Sequence, residues 1–338
     1  MTIRDVAKSA GVSPATVSRV LNKPDLVEPE TRERVRFAME KLNFQPNAIA
    51  RGLSAQRSDT LGLIVPGITD LFFNELYRGI DRASQSYGMK VLLFNAEHAR
   101  DRALDGFSFL GQHQVSGIIF TSKLVTEEFD PVLQRLRIPV VLVLTQSTAK
   151  TPLQAFRVDD IKAVFDVVSY LVSRGHHRIG MIAGKQDHEI TGQLRLRGYE
   201  MGLQHFGIPY DPRRVEYGDY RFDEGYSAMQ RLLDRQRDLQ LTAVCTAADE
   251  MALGAIRCLY DNGLRVPEDM SVVGFDDLQI SRMILPRMTT VAQPFADIGA
   301  HAVRWLMGVL GQDQTPSETG IYFLPHRLVE RESVLTLV

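Results

Sequence analysis

The sequence predicts an all-α helix-turn-helix head followed by an α/β body of two lobes, each a doubly wound parallel sheet. Three observations lead there. The N-terminal stretch carries apolar residues at helical spacing interrupted by Gly11. From Thr60 onward, short apolar runs bounded by turn formers alternate with segments of helical period, and this alternation occurs twice. At 338 residues the chain is also too long for one ordinary domain.

In the head, Ile3, Val6, Ala7 and Ala10 share one helical face, and Gly11 stops that helix by tolerating left-handed dihedrals. Ser13 is a cap and Pro14 suits the first helical position, so a second short helix runs through Ala15 to Leu21. Thr31 is expected to cap a third helix from Arg32 to Leu42, with Val35, Met39 and Leu42 inward. Two short helices joined by a Gly-containing turn make a helix-turn-helix, whose second helix enters the major groove by its N-terminal end. That points Pro14, Ala15 and Thr16 at DNA, with Ser18, Arg19 and Asn22 one turn on. Arg19 can read guanine with two hydrogen bonds and Ala15 a thymine methyl, whereas Ser13, Thr16, Ser18 and Asn22 suit phosphates.

In the body, Thr60–Pro66 reads as a buried parallel strand, followed by a helix over Asn74–Tyr87. Then come a strand at Lys90–Phe94, a helix near 101–113, a strand at Gly117–Phe120, a helix near 126–136 and a strand at Val140–Leu144. The pattern resumes with strands at Ile179–Ala183, Ala243–Thr246 and Ser271–Phe275. Ligands of such folds bind at the carboxyl ends of the strands, in the cleft between lobes.

Charge divides along the same line. Residues 1–58 carry 10 Lys and Arg against 6 Asp and Glu, whereas the whole chain is at −2, so only the head is basic enough to meet phosphates. Two cysteines form no disulfide framework and the N-terminus lacks the apolar stretch of a secretory signal, which predicts a cytoplasmic protein. No membrane span or cofactor motif emerges, and no catalytic set. Asp276 and Asp277 are adjacent on an extended chain and point to opposite faces. His176-His177 reads as a capping or solvated pair, and Ser271 and Ser281 lack a nucleophile elbow. These absences count against an enzyme, and the basic head counts against a periplasmic-type solute-binding protein.

Four segments carry a specific resemblance: Thr2–Ser13, Ala15–Asn22, Glu30–Val35 and Pro46-Asn-Ala-Ile-Ala-Arg51. On them the sequence resembles the LacI/GalR family of bacterial repressors over nearly its whole length. The resemblance implies a head over 1–45, a hinge helix and linker over 46–59, and a periplasmic-binding-protein-like body over 60–338. It divides that body into one lobe of about 60–160 and 291–323 and another of about 161–290 and 324–338. It adds Thr2, Asn47, Ala50, Arg51 and Leu53 to the DNA contacts, with Leu53 wedging into the minor groove of a near-palindromic operator bound by a homodimer. The C-terminus has no heptad run, which favours a dimer over a tetramer.

For the cleft, Phe72 and Phe73 ahead of a helix, Tyr220 and Asp276 match effector positions of the family, as does Arg195, which suits bidentate donation to hydroxyl or phosphate oxygens, with Arg197 the alternative inward arginine. Within the family the resemblance runs to the catabolite-control branch of Gram-positive bacteria. There a surface helix, approximated here by Phe295–Arg304, receives the serine-phosphorylated phosphocarrier HPr. Asp297, Ala300 and Arg304 match it, while Ala296 and His301 depart from it. Leu144 and Ala248 stand where sugar-responsive members carry aspartate and asparagine. Two inputs are therefore expected: HPr-serine-phosphate on the surface helix, or a sugar or sugar phosphate in the cleft.

Overall fold

A computed structural model of the chain describes residues 1–22, 24–44, 58–121, 123–313 and 319–337. By internal contacts the chain divides into a unit Met1–Asp59 and a unit Thr60–Val338.

The first unit has three α-helices among its described residues: α1 (Ile3–Ala10), α2 (Pro14–Asn22) and α3 (Pro29–Lys41). Thr2 and Asp5 cap α1 reciprocally: the Thr2 N–H donates to the Asp5 carboxylate at 2.8 Å and the Asp5 N–H to the Thr2 hydroxyl at 3.4 Å. Gly11 ends the helix at φ 65°, the left-handed geometry expected of it. Ser13 caps α2, its hydroxyl accepting the Thr16 N–H at 3.1 Å. The third helix differs from expectation. It begins at Pro29 after an extended Glu28, so Thr31 lies inside it and caps nothing. Proline's fixed φ starts the helix where no side-chain cap is present. Val6, Ala7, Val17, Val20, Val35 and Ala38 are buried between the three helices.

The second unit runs β1 (Thr60–Val65), α4 (Leu71–Ser86), β2 (Lys90–Asn95), α5 (Arg100–Gln112), β3 (Gly117–Phe120), α6 (Asp130–Leu136), β4 (Val140–Val143) and β5 (Gln154–Arg157). The chain then crosses to a second lobe. That lobe contains α7 (Asp160–Ser173), β6 (Ile179–Gly184), α8 (Arg195–His205), β7 (Val215–Gly218), α9 (Phe222–Leu233), α10 (Gln236–Leu239), β8 (Ala243–Thr246), α11 (Asp249–Asp261), β9 (Ser271–Asp276) and β10 (Thr289–Ala292). It returns to the first lobe for α12 (Phe295–Val309) and β11 (Ile321–Phe323), and crosses a third time for β12 (Arg327–Val329).

The sheets have strand orders β11-β5-β4-β3-β1-β2 and β12-β10-β9-β8-β6-β7. The first is parallel throughout, and the second is parallel except for β12 against β10. Each sheet has a buried cluster on both faces. In the first lobe α4 crosses α12 at Gly79 and Gly299. A Cβ on Gly79 would fall 2.1 Å from the Ala296 carbonyl oxygen, so only glycine admits this crossing.

Sequence patterning missed β5, β7, β10, β11 and β12. The strands β7, β11 and β12 lie at sheet edges and lack a buried apolar run, while β5 is Gln-Ala-Phe-Arg, polar at both ends although buried. Helix α4 starts at Leu71 rather than Asn74, so Phe72 and Phe73 lie in its first turn and not ahead of it. Leu71 is exposed there and both phenylalanines are half-buried, which hides the helical period.

Candidate DNA-reading face and effector cleft

In the head, α2 buries Val17 and Val20 and leaves Pro14, Ala15 and Arg19 exposed, with Thr16 and Ser18 half-exposed. Ala15 and Arg19 are four residues apart and therefore share a face. Ser13 is exposed too, its hydroxyl 2.9 Å from that of Thr16. Thr2 is exposed at the start of α1. Asn22 ends α2, and its side chain lies outside the described residues, as do Asn47, Ala50, Arg51 and Leu53.

In the body, a cavity of about 350 Å³ lies between the lobes at the carboxyl ends of the strands. Arg195, Tyr220, Asp276 and Phe72 line it; Phe73 does not, and instead meets Tyr77 at a centroid distance of 5.6 Å. Phe72 stacks on Phe295 at 5.9 Å, and with Leu144 and Leu278 these rings make an apolar wall. Leu144 and Ala248 both face the cavity, so the carboxylate and amide expected of sugar-responsive relatives are replaced by apolar groups.

The cavity lining also holds buried charge. Arg195 begins α8 after a π-helical turn over Glu189–Leu194, and it is the inward arginine, 4% exposed, while Arg197 is exposed. Its Nε donates to Asp160 at 2.7 Å, its Nη1 to the Ala247 carbonyl, and its Cζ lies 3.8 Å from the centre of the Phe275 ring. The bidentate fork expected of Arg195 is thus already committed, leaving Nη2 for a ligand. Asp160 also accepts from Arg157 at 2.6 Å, which ties the last residue of β5 to the first of α7 where the lobes join.

Asp276 accepts from the Gln293 amide at 2.7 Å, and Gln293 begins the second crossing. Burial pushes the Asp276 carboxyl up to about 6 against the opposing pull of Arg195 and Gln293. Asp277 turns away, to Arg331 and Ser281. Tyr220, at φ 62°, accepts a hydrogen bond from the Thr191 hydroxyl at 2.7 Å, with its ring edge-on to His188 at 5.7 Å. Burial, and then the charge of Arg195, push His188 down to about 4, so its imidazole is neutral at physiological pH. Burial likewise raises the Tyr220 phenol to about 12.

Sequence reasoning missed Asp160, His188, Thr191 and Gln293. Gln293 directly follows β10 and Asp160 lies three residues past β5, two of the missed strands, so a polar residue just beyond a strand's carboxyl end was the available signal. The His176-His177 reading is corrected for His176, while His177 is exposed. His176 is buried, bonded to Thr242 at 3.0 Å and to the Leu335 carbonyl at 2.9 Å, and ties down the C-terminal segment.

On α12, Asp297 and Arg304 are exposed and Ala300 is half-buried between them on the same face. Arg304 Nη2 lies 3.1 Å from His301 Nδ1, and the His301 ring stacks on Tyr322 at 5.9 Å. Among the described residues no cluster of metal-ligating side chains occurs, and no helix is long and apolar enough to cross a membrane.

A helix-turn-helix with an exposed reading face, followed in the same chain by a two-lobed body with a cleft, defines a DNA-binding transcription regulator. The chain belongs to the lacI family of bacterial regulatory proteins. Residues 2–47 match that family's description and residues 168–334 match a periplasmic binding protein-like domain. It is 39% identical to catabolite control protein A of Priestia megaterium over 334 residues, 98% of this chain and 99% of that one. Its fold is similar to a lac repressor dimer bound to operator and the anti-inducer ONPF, with TM-score 0.86, 29% identity and 99% of each chain covered. A CelR–cellobiose complex also matches, with TM-score 0.73, 32% identity and 98% and 99% coverage.

Proposed function

We propose that this repressor controls carbohydrate-metabolism genes from the cytoplasm, binding a near-palindromic operator as a homodimer and responding to a sugar or sugar phosphate in the cleft. The observation that carries this is the cavity's two-sided chemistry. A sugar can lay its C–H face on Phe72, Leu144 and Leu278 while its hydroxyls donate to Asp276 and accept from Arg195 Nη2. The relative CelR has been solved with cellobiose, which fits the same chemistry. On the head, Ala15 and Arg19 read bases, Ser13, Thr16, Ser18 and Asn22 set register on phosphates, and Thr2 and Pro14 also face the DNA. Asn47, Ala50, Arg51 and Leu53 belong to the hinge over 46–59. Self-association is supported by exposed apolar residues at one place on the second lobe: Leu285 is 81% exposed, Met283 65% and Tyr260 43%, with the Tyr260 hydroxyl 3.4 Å from the Leu285 carbonyl.

A second input is favoured by the alignment of Asp297, Ala300 and Arg304 on one exposed face. There a guanidinium can take a phosphoserine, so HPr-serine-phosphate would act as corepressor. One titration separates the two inputs. The protein–operator complex is challenged with HPr-serine-phosphate and then with a sugar panel that includes cellobiose and glucose 6-phosphate. Release by a sugar, with no effect of HPr, supports the cleft alone. Tightening by HPr that disappears in Arg304→Ala supports the surface helix. No response to either would overturn both inputs.

A further inference from the structure

We propose that Asp70 and Arg221 form a charge clasp across the mouth of the cleft, with His98 and Glu250 as the partners each falls back on when the lobes part. Asp70 precedes α4 in the first lobe, and Arg221 precedes α9 in the second. Their side chains form an ion pair, with Asp70 9% exposed. Among the described residues it joins the lobes away from the crossing strands, where Arg157 and Asp160 form the other bridge. Asp70 occupies the cap position of α4 yet makes no side-chain cap bond, so its carboxylate serves the clasp and not the helix.

Each member has a second partner within its own lobe. His98 Nε2 stands 3.4 Å from Asp70, and Glu250, on α11, stands 3.7 Å from Arg221. Gly67 leaves room for the first of these, since a Cβ there would fall 2.8 Å from His98 Nε2 and 3.0 Å from either Asp70 oxygen. Parting the lobes therefore leaves each member beside a second group: Asp70 beside the His98 imidazole and Arg221 beside Glu250. A pair joined in one arrangement and exchanged for these neighbours in the other makes a two-state element, and a ligand shifts such an element by its differential affinity. The clasp is also part of the cavity wall, since Asp70, His98, Arg221 and Glu250 all line it and Arg221 directly follows Tyr220, which lines it too.

The purpose of the clasp rests on the cleft being a ligand site, but its test needs no ligand. Nitroxide labels are placed on the full chain at Ser108→Cys in the first lobe and Asp238→Cys in the second, both exposed, while the native Cys245 and Cys258 are buried. Electron–electron double resonance then reads the distance between lobes. Asp70→Arg should lower the short-distance population by about threefold, the ratio that a partly exposed ion pair supports, with the neutral Asp70→Asn in between. The swap Asp70→Arg/Arg221→Asp should restore that population and narrow it. Each swapped charge then has a partner only across the cleft, since the carboxylate of Arg221→Asp would face Glu250 within its own lobe and the guanidinium of Asp70→Arg would face His98. Distances unmoved by Asp70→Arg and Arg221→Asp overturn the clasp, and so does a swap that stays open. Failure of any sugar to bind would leave this result intact.

Discussion

Arg19 and Ala15 stand one turn apart on the exposed face of α2, where we propose that bases are read. Replacing Arg19 with alanine should remove about 1–3 kcal/mol of discrimination, roughly fivefold to 150-fold in the ratio of specific to scrambled duplex affinity. Fluorescence anisotropy with both duplexes measures it, and an unchanged ratio would place base reading elsewhere. Asp249 makes a prediction of another kind. It is fully buried on α11, accepting the Leu278 N–H at 2.8 Å and the Thr290 hydroxyl, with no cation against it. Burial, with the nearby Asp276 charge, pushes its carboxyl up to about 8 from the ordinary 3.8. Between those values the folded chain holds a proton that the unfolded chain has released, so its contribution is full at acid pH and is lost as pH rises through 8. Urea unfolding should show stability falling from about pH 5 to about pH 8, and Asp249→Asn should flatten that slope. Asparagine keeps both bonds, its oxygen accepting from Leu278 and its nitrogen donating to Thr290. At this scale Arg195, Tyr220 and Asp276 were legible in the sequence as cleft residues. Asp160 and Gln293 were not, because the strands that precede them, β5 and β10, carry no long apolar run.

At the scale of elements, the glycine crossing of α4 and α12 sets the first lobe. Gly79→Ala would drive a methyl into the Ala296 backbone, and neither helix can yield without lifting from the sheet. A loss of about 1–3 kcal/mol is expected for such overpacking, read as a lower midpoint in urea. Wild-type stability in Gly79→Ala would mean that the helices do not cross this closely. Ser13→Ala removes the cap of α2 and should cost the head about 1 kcal/mol, seen as an earlier loss of helical ellipticity. Elements with a buried apolar run or a clear helical period were legible in the chain: β1, β3, β4, β6, β8 and β9, and the helices of the head. Helix starts were less so. Pro29 opens α3 without a capping side chain, and half-buried Phe72 and Phe73 begin α4 without an obvious polar face.

On the scale of the molecule, the basic head on an acidic body was legible from charge alone, and the doubled strand–helix alternation announced two lobes. If Tyr260, Met283 and Leu285 are the self-association surface, Leu285→Glu should give monomers in sedimentation velocity and weaken operator binding. Dimers that survive this change would move the interface elsewhere. Operator affinity should also fall steeply with salt, since phosphate neutralisation dominates it. The three crossings between the lobes bear on how the chain is made. Neither lobe is a continuous stretch of sequence. The first lobe's buried cluster needs Ile298, Ala302, Val303, Leu306 and Met307 from α12, which follow every helix of the second lobe in chain order. At about 5–20 residues per second, a ribosome that has finished β5 needs on the order of ten seconds to deliver α12. During that interval the head can fold as its own unit while one face of the first sheet has α4 alone to cover it. The DNA-binding end of the nascent chain is thus finished well before the part that regulates it.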